Sequence, residues 1–451
     1  MEVKNGITFA ISSRIVLHAM LNSLFNFPFN SLRKAHNSQQ AQLAKVELYN
    51  LLPPKKDSGM EQRRLKIGIF LDSYYPEIDG GVMVTDYVAC ALSEFNDVTM
   101  IIPDMGTEKL PEKPYEVIRV KSLSWPLSAY NYKVGILLKS SKEYKQILEK
   151  SFDVIHIHSP FTVGRAGVKI AKRLNIPVFA TVHTRFHIEV KKQAKLEFLT
   201  KIGMKFISNV FNACDKIIIV NPLQSEELKK YISKHKPIVI GNATDLTPLK
   251  DLKNSIRKIN EQYGLYNSDN VLLYVGRISV IKNIFFILES LRLLKQEKVA
   301  FKMLYVGSGP DEQKLQALIK EYNMDDCVQM TGRIVDREHL SAIYARADLF
   351  LFPSDFDTFG LVKLEAAVNE TPGLFFENTM VANSIEDNVN GFLSSPDEGK
   401  YKDRIKEILS DKTLLKQVSV KARETMAVDW ATIAHQYYNE YLKALTAKFQ
   451  V

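Results

Sequence analysis

The sequence holds only three cysteines in 451 residues, Cys90, Cys214 and Cys327. They are spaced too far apart for a disulfide framework or a CxxC metal pair, which fits a reducing compartment. Glycine, at 20, and proline, at 17, are sparse, which excludes collagen-like and low-complexity architectures. No run of about 18 apolar residues occurs, so no membrane span is expected. No short-period repeat is visible, which argues against a solenoid. What is present is an ordinary globular balance, 46% hydrophobic and 25% charged. That excludes whole-chain disorder, and the length suggests two or three domains.

Acidic residues are absent from residues 3–46, and the net charge of +9 is uneven. Residues 1–59 carry about +4, residues 60–245 about +7 and residues 246–451 about −2. An anionic partner is therefore expected for the N-terminal half: nucleic acid, an anionic membrane surface or a phosphorylated ligand. Residues 1–60 read as an extension. Three readings stand for it: a cleavable signal, poorly matched; an acid-poor transit segment; or an upstream stretch before a true start at Met60. Pro53-Pro54-Lys55-Lys56-Asp57-Ser58-Gly59 reads as a linker.

From Lys66 onward, short β-branched apolar runs alternate with helical stretches. The first set covers 66–71, 98–102, 154–158, 177–182, 216–220 and 237–240. After a polar stretch at 247–270 the pattern restarts at 271–275, 301–306, 328–330, 348–352 and 373–376. Near-continuous apolar strands predict parallel sheets covered on both faces. The expectation is two doubly wound α/β domains, 61–245 and 246–425, followed by C-terminal helices over 426–451. Such sheets bind ligands beyond the carboxyl ends of their strands.

Residues with chemical potential follow those strands. Gly80-Gly81 opens a helix after the first strand; it either admits a phosphate to helix amides or makes an ordinary turn. Arg277 and Lys282 follow the first strand of the second set. A planar fork and a point charge suit a diphosphate, but two solvated charges would look the same. Gly307 and Gly309 either admit a nucleotide or simply turn the chain. Asp357 and Glu365 flank Phe359-Gly360-Leu361, where glycine lets backbone amides approach a ligand. Carboxylates suit vicinal hydroxyls, while an acidic residue before a helix also suits its dipole. His183 ends a strand, where a functional side chain projects, whereas His156 and His158 sit among apolar neighbours. The histidine and cysteine spacing offers no zinc site. Residues 191–212 repeat apolar residues at helical spacing, with Lys191, Lys192, Lys195, Lys201 and Lys205 between them. This is either a core helix or a basic amphipathic helix for an anionic membrane.

Taken together and in order, VGRISVIKN, GSGP, ADLFLFPS, DTFGLVKLEA and NGFL resemble the family 4 retaining glycosyltransferases. The resemblance covers about residues 66–445. It implies a GT-B fold, with two Rossmann-like domains facing a central cleft and C-terminal helices crossing back to the N-terminal domain. It implies a nucleotide-sugar donor in the second domain. Arg277 and Lys282 would hold the diphosphate with help from Gly80 and Gly81. Glu365 would take the ribose, Asp357 the donor sugar, and His183 would lie near the reacting sugar. Gly307, Gly309, Phe359, Gly360 and Leu361 would line the donor site. No metal or other cofactor is implied.

Within the family, 158–186 and 357–367 look most like bacterial enzymes that glycosylate diacylglycerol or glycosyl-diacylglycerol. That implies a UDP-sugar donor, most simply UDP-glucose, a lipid acceptor, and peripheral attachment to the inner face of the cell membrane. Nucleic acid is not expected, since no recognition motif accompanies the basic charge. Three departures stand out. Asp357 replaces the usual glutamate. Asn242-Ala243-Thr244-Asp245 stands where NG-x-D is common, and Asn383 replaces a glutamate. The alternatives are a transferase for capsular, teichoic or other surface polysaccharide, or a non-catalytic nucleotide-sugar-binding partner.

Overall fold

The computed structural model describes residues 63–449 apart from 77–79, 107–109, 125–132, 195 and 233. The N-terminal extension read at 1–60 lies outside the described residues. The chain divides into two compact units, residues 1–241 with 430–451, and residues 242–429.

The first unit is built on β1 (Lys66–Phe70), β2 (Asp97–Pro103), β3 (Glu116–Val120), β6 (Val154–Ile157), β7 (Val178–Val182), β8 (Lys216–Ile219) and β9 (Ile238–Val239), with β4 (Ser122–Ser124) and β5 (Lys133–Gly135) as a separate antiparallel pair. The seven-stranded sheet is parallel, in the order β3-β2-β1-β6-β7-β8-β9. Every residue of β6 and β7 is buried, as a sheet covered on both faces requires.

The helix Trp430–Phe449 completes this unit. Trp430, Ile433, Ala434, Tyr437, Tyr438, Tyr441, Ala444 and Leu445 form its buried stripe. Its attachment is partly polar. Tyr441 Oη lies 2.6 Å from His156 Nδ1, Tyr438 donates to the Arg63 carbonyl at 2.8 Å, and Phe95 stacks on His435 at 4.5 Å. The expected return to the N-terminal domain is thus made by one helix starting at Trp430, not from residue 426. Met426 ends the helix Lys412–Met426 and is buried in the core of the second unit.

The second unit contains β10 (Val271–Val275), β11 (Lys302–Val306), β12 (Val328–Gly332), β13 (Leu349–Phe352), β14 (Gly373–Phe376) and β15 (Phe392–Ser394). These form a parallel sheet in the order β12-β11-β10-β13-β14-β15. β10 is buried throughout and lies between β11 and β13, so the strand order reverses beside it. The carboxyl ends of β10 and β13 therefore form the topological switch point. The unit begins at Asn242 rather than 246. The Thr244 amide donates to the Val428 carbonyl at 3.3 Å, and Asp245 is ion-paired with Arg337, so this segment belongs to the second unit. The stretch read as polar at 247–270 contains the helix Leu252–Tyr263, capped by Asp251 and closed by Gly264 at φ 64°.

Candidate active site

After β10, Gly276 and the exposed Arg277 lead to a short helical turn, Val280–Lys282. Asn283 follows in the left-handed conformation and donates from its side chain to the Pro353 carbonyl at 2.8 Å. That bond ties the loop after β10 to the loop after β13. Across the same junction, Lys282 Nζ lies 2.5 Å from Asp357 Oδ1 and 2.6 Å from Oδ2. Ser354 Oγ donates to Asp357 Oδ2 at 2.6 Å. The sequence-predicted Lys282 and Asp357 are thus joined at the switch point, and both are partly buried.

Gly360 is the N-cap of the helix Leu361–Val368 at φ 75°, a conformation that favours glycine. The glycine lets the chain turn into the helix against Val381 and Phe352, with Phe359 and Leu361, both partly buried, on either side of it. Gly307 and Gly309 allow a close backbone approach. A Cβ on Gly307 would lie 1.9 Å from the Gly276 carbonyl oxygen, and one on Gly309 2.2 Å from that of Ile278. The Ile278 amide donates to the Ser308 carbonyl at 3.0 Å. The two glycines let the loop after β11 pack on the loop after β10, and so hold the Arg277 segment in place.

Glu365 lies one helical turn further and is 7% exposed. Arg337 Nη2 donates to its Oε1 at 2.8 Å, and Tyr344 Oη to its Oε2 at 3.0 Å. Arg337 also holds Asp245 with both arms of its fork, Nε at 2.9 Å and Nη2 at 2.5 Å. Burial works against the charged guanidinium, but the two carboxylates outweigh it and raise its pKa further. Neighbouring Lys363 is buried, donating to the Val381 carbonyl and to Ser384 Oγ, each at 2.8 Å. Burial pushes this ammonium down to about 7. Arg337, Tyr344 and Lys363 are not marked as site residues by the sequence, and Asp245 stands out there only within Asn242-Ala243-Thr244-Asp245.

The first unit holds the other predicted residues. Gly80 and Gly81 begin the helix Gly80–Ser93, whose first turn has no acidic residue. By contrast, the chain's own Asp72 carboxylate occupies the N-terminus of the helix Thr162–Leu174. It accepts from the Val163 amide at 2.6 Å, the Gly164 amide at 3.2 Å and Ser159 Oγ at 2.6 Å. The Gly80–Ser93 helix is anchored through Asp86, buried and bonded to Tyr75 Oη at 2.8 Å, Lys113 Nζ at 2.6 Å and Tyr115.

His183 follows β7, and its Nε2 lies 2.9 Å from His158 Nδ1. His156 and His158 are buried core residues, and burial lowers the pKa of all three histidines, His183 to about 4. The basic stretch is two helices, Phe186–Ala194 and Glu197–Phe211, not one, because Leu196 takes an extended conformation. Phe206, Ile207, Val210 and Phe211 enter the core, whereas Leu196, Phe198 and Ile202 are 55%, 58% and 43% exposed. Lys191, Lys201 and Lys205 are exposed on the same segment. Lys195 and the side chain of Lys192 lie outside the described residues.

Two family models match: glycosyltransferase family 4 over residues 78–247 and glycosyl transferases group 1 over residues 255–425. The alpha-monoglucosyldiacylglycerol synthase of Streptococcus pneumoniae is 26% identical over 73% of this chain and 75% of its own length. The synthase of the same name from Acholeplasma laidlawii is 25% identical over 81% of this chain and 97% of its own. Among solved structures, Anabaena HepE in complex with UDP and glucose superposes with a TM-score of 0.66. It is 17% identical over 84% of this chain and 99% of its own. The chain is a glycosyltransferase of the GT-B fold, with a family 4 domain followed by a group 1 domain.

Proposed function

We propose that this enzyme transfers a hexose, glucose, from a UDP-sugar to diacylglycerol or a glycosyl-diacylglycerol, with retention of anomeric configuration. The observation that carries the donor half is the Lys282–Asp357 pair at the switch point of the second sheet. Binding a donor diphosphate exchanges the Lys282 ammonium from Asp357 to phosphate. Asp357 is then left to accept from sugar hydroxyls. Arg277 and the positive end of the helix Leu361–Val368 add positive potential. Charge grows on the departing phosphate oxygen as the glycosidic bond breaks, and fixed positive groups stabilise it. This assigns charge neutralisation to side chains and backbone, without a metal. Glu365 receives the ribose hydroxyls.

The lipid half rests on the exposed residues Lys191, Leu196, Phe198, Lys201, Ile202 and Lys205. Leu196, Phe198 and Ile202 among exposed lysines combine an apolar insert with charges complementary to anionic headgroups. The names of the two curated relatives support an α-glucosyl lipid product. The test offers labelled UDP-glucose, UDP-galactose and GDP-mannose with mixed micelles of diacylglycerol and an anionic lipid. Label from one UDP-sugar in the organic phase is expected. Transfer to water-soluble glycans alone would replace this reading with polysaccharide synthesis. Saturable donor binding without turnover would replace it with a non-catalytic partner.

A further inference from the structure

Arg337 is the first residue of the helix Arg337–Arg346. A cation there faces the positive end of the helix dipole, an unfavourable place for one. Two carboxylates hold it. The fork is bidentate on Asp245, and the same Nη2 reaches Glu365 Oε1 at 2.8 Å. Tyr344, on the same helix, takes Oε2. The backbone of Glu365 is fixed as well. Asn369 Nδ2 donates to its carbonyl at 2.9 Å, and Ser341 Oγ donates to Asn369 Oδ1 at 2.6 Å.

A carboxylate offers about four acceptor sites, two on each oxygen. In Glu365 one site on each oxygen is filled by a protein donor. What is left is one site on each oxygen, enough for two neighbouring hydroxyls. With the plane of the carboxylate set by Arg337 and Tyr344, little orientational freedom remains to be lost on binding.

We propose that Arg337 is a positioning residue for nucleotide recognition: it orients Glu365 so that the two remaining acceptor sites meet the 2′- and 3′-hydroxyls of the donor ribose. The inference rests on the assignment of Glu365 to the ribose and extends it to a residue that does not touch the ligand. Asp245 is the counter-ion that keeps the fork in place.

The test is calorimetric titration of the full chain with UDP and with 2′-deoxy-UDP. The wild-type chain is expected to prefer UDP by roughly tenfold or more, the range for a hydrogen bond to a charged group. In Arg337→Gln that preference falls toward one, because UDP loses two oriented hydrogen bonds while 2′-deoxy-UDP, which keeps only its 3′-hydroxyl, loses less. Arg337→Lys keeps the charge without the fork and gives an intermediate ratio. A merely structural arginine would weaken both nucleotides equally, and an unchanged ratio in Arg337→Gln overturns the proposal. Should Arg337→Gln fail to fold, an undiminished ratio in Arg337→Lys overturns it. No preference in the wild-type chain, or no binding of UDP, removes the role of Glu365 and this inference with it. A wild-type preference that survives in the variants removes this inference alone.

Discussion

Lys282 and Asp357, 75 residues apart in sequence, form an ion pair in which the ammonium lies 2.5 Å from Oδ1 and 2.6 Å from Oδ2. The pair joins the loops after adjacent strands β10 and β13. It holds a positive charge at the switch point, neutralised by the chain's own carboxylate.

The two members of that pair should therefore behave differently when changed. Lys282→Ala is expected to lower kcat by roughly 10²–10³, the cost of losing one preorganised donor to a developing charge. Asp357→Asn should also lower turnover. It frees Lys282 from its carboxylate, so UDP affinity should hold or rise. Turnover and calorimetry on the folded variants check this, and weaker UDP binding in Asp357→Asn would count against it.

Charge reversal at Lys191, Lys201 and Lys205 tests the membrane face. Each lysine near an anionic surface contributes about 1 kcal/mol, so losing three positive charges alone weakens binding by roughly a hundredfold, and the triple change to Glu should weaken binding to phosphatidylglycerol vesicles by more than that. Phe198→Ala should weaken the part of binding that salt does not remove. Unchanged co-sedimentation would make the two helices structural only.

The buried histidines set an acid limit. Burial, followed by the nearby His183, pushes His156 down from 6.5 to about 3. A folded pKa below the unfolded one means that the unfolded chain binds the extra proton. The stability this group contributes is present above about pH 6.5 and is lost as pH falls toward about 3. His156→Gln should flatten the stability profile over that window. Tyr441→Phe, which leaves His156 Nδ1 without its partner, should cost about 1–3 kcal/mol at neutral pH. Denaturant melts at several pH values check both.

Lys363 works in an alkaline window. Burial lowers it from 10.5 to about 7, so between those values the unfolded chain holds more protons than the folded one. Stability should rise with pH across that interval relative to Lys363→Met. A difference between the two proteins that does not change from about pH 7 to 10 would contradict the burial of the amine.

Much of the fold was legible because its strands are buried on both faces. VLLYV and GLFF at β10 and β14 matched their predicted bounds, since uninterrupted apolar runs leave no other period to follow. β3 was not read, because EVIRV is half-buried and alternates at the sheet edge. β15 is only three residues long. The helix Leu252–Tyr263 buries only Ile259 fully, so its apolar signal was too thin to stand out. In the site, Lys282, Asp357 and Glu365 stood in recognisable local motifs. Arg337 did not. Its neighbours Asp336 and Glu338 read as a helix start, and its partners lie 92 and 28 residues away. Periodicity and motif spacing carry no information about such a contact. The fork geometry that defines it exists only once Asp245 and the helix carrying Glu365 have been brought together. The reason for Gly307 and Gly309 was likewise hidden, because it is a backbone approach between two loops.

The most direct test is the product itself. The full chain is incubated with UDP-glucose carrying ¹³C at the anomeric carbon and with diacylglycerol in anionic micelles. The lipid phase is then extracted and its anomeric coupling read by NMR. The account predicts a lipid-extractable glucoside with the α configuration, absent when Glu365→Ala or Lys282→Ala replaces the wild-type chain. A β product, no sugar in the lipid phase, or near-normal transfer by both variants would contradict it.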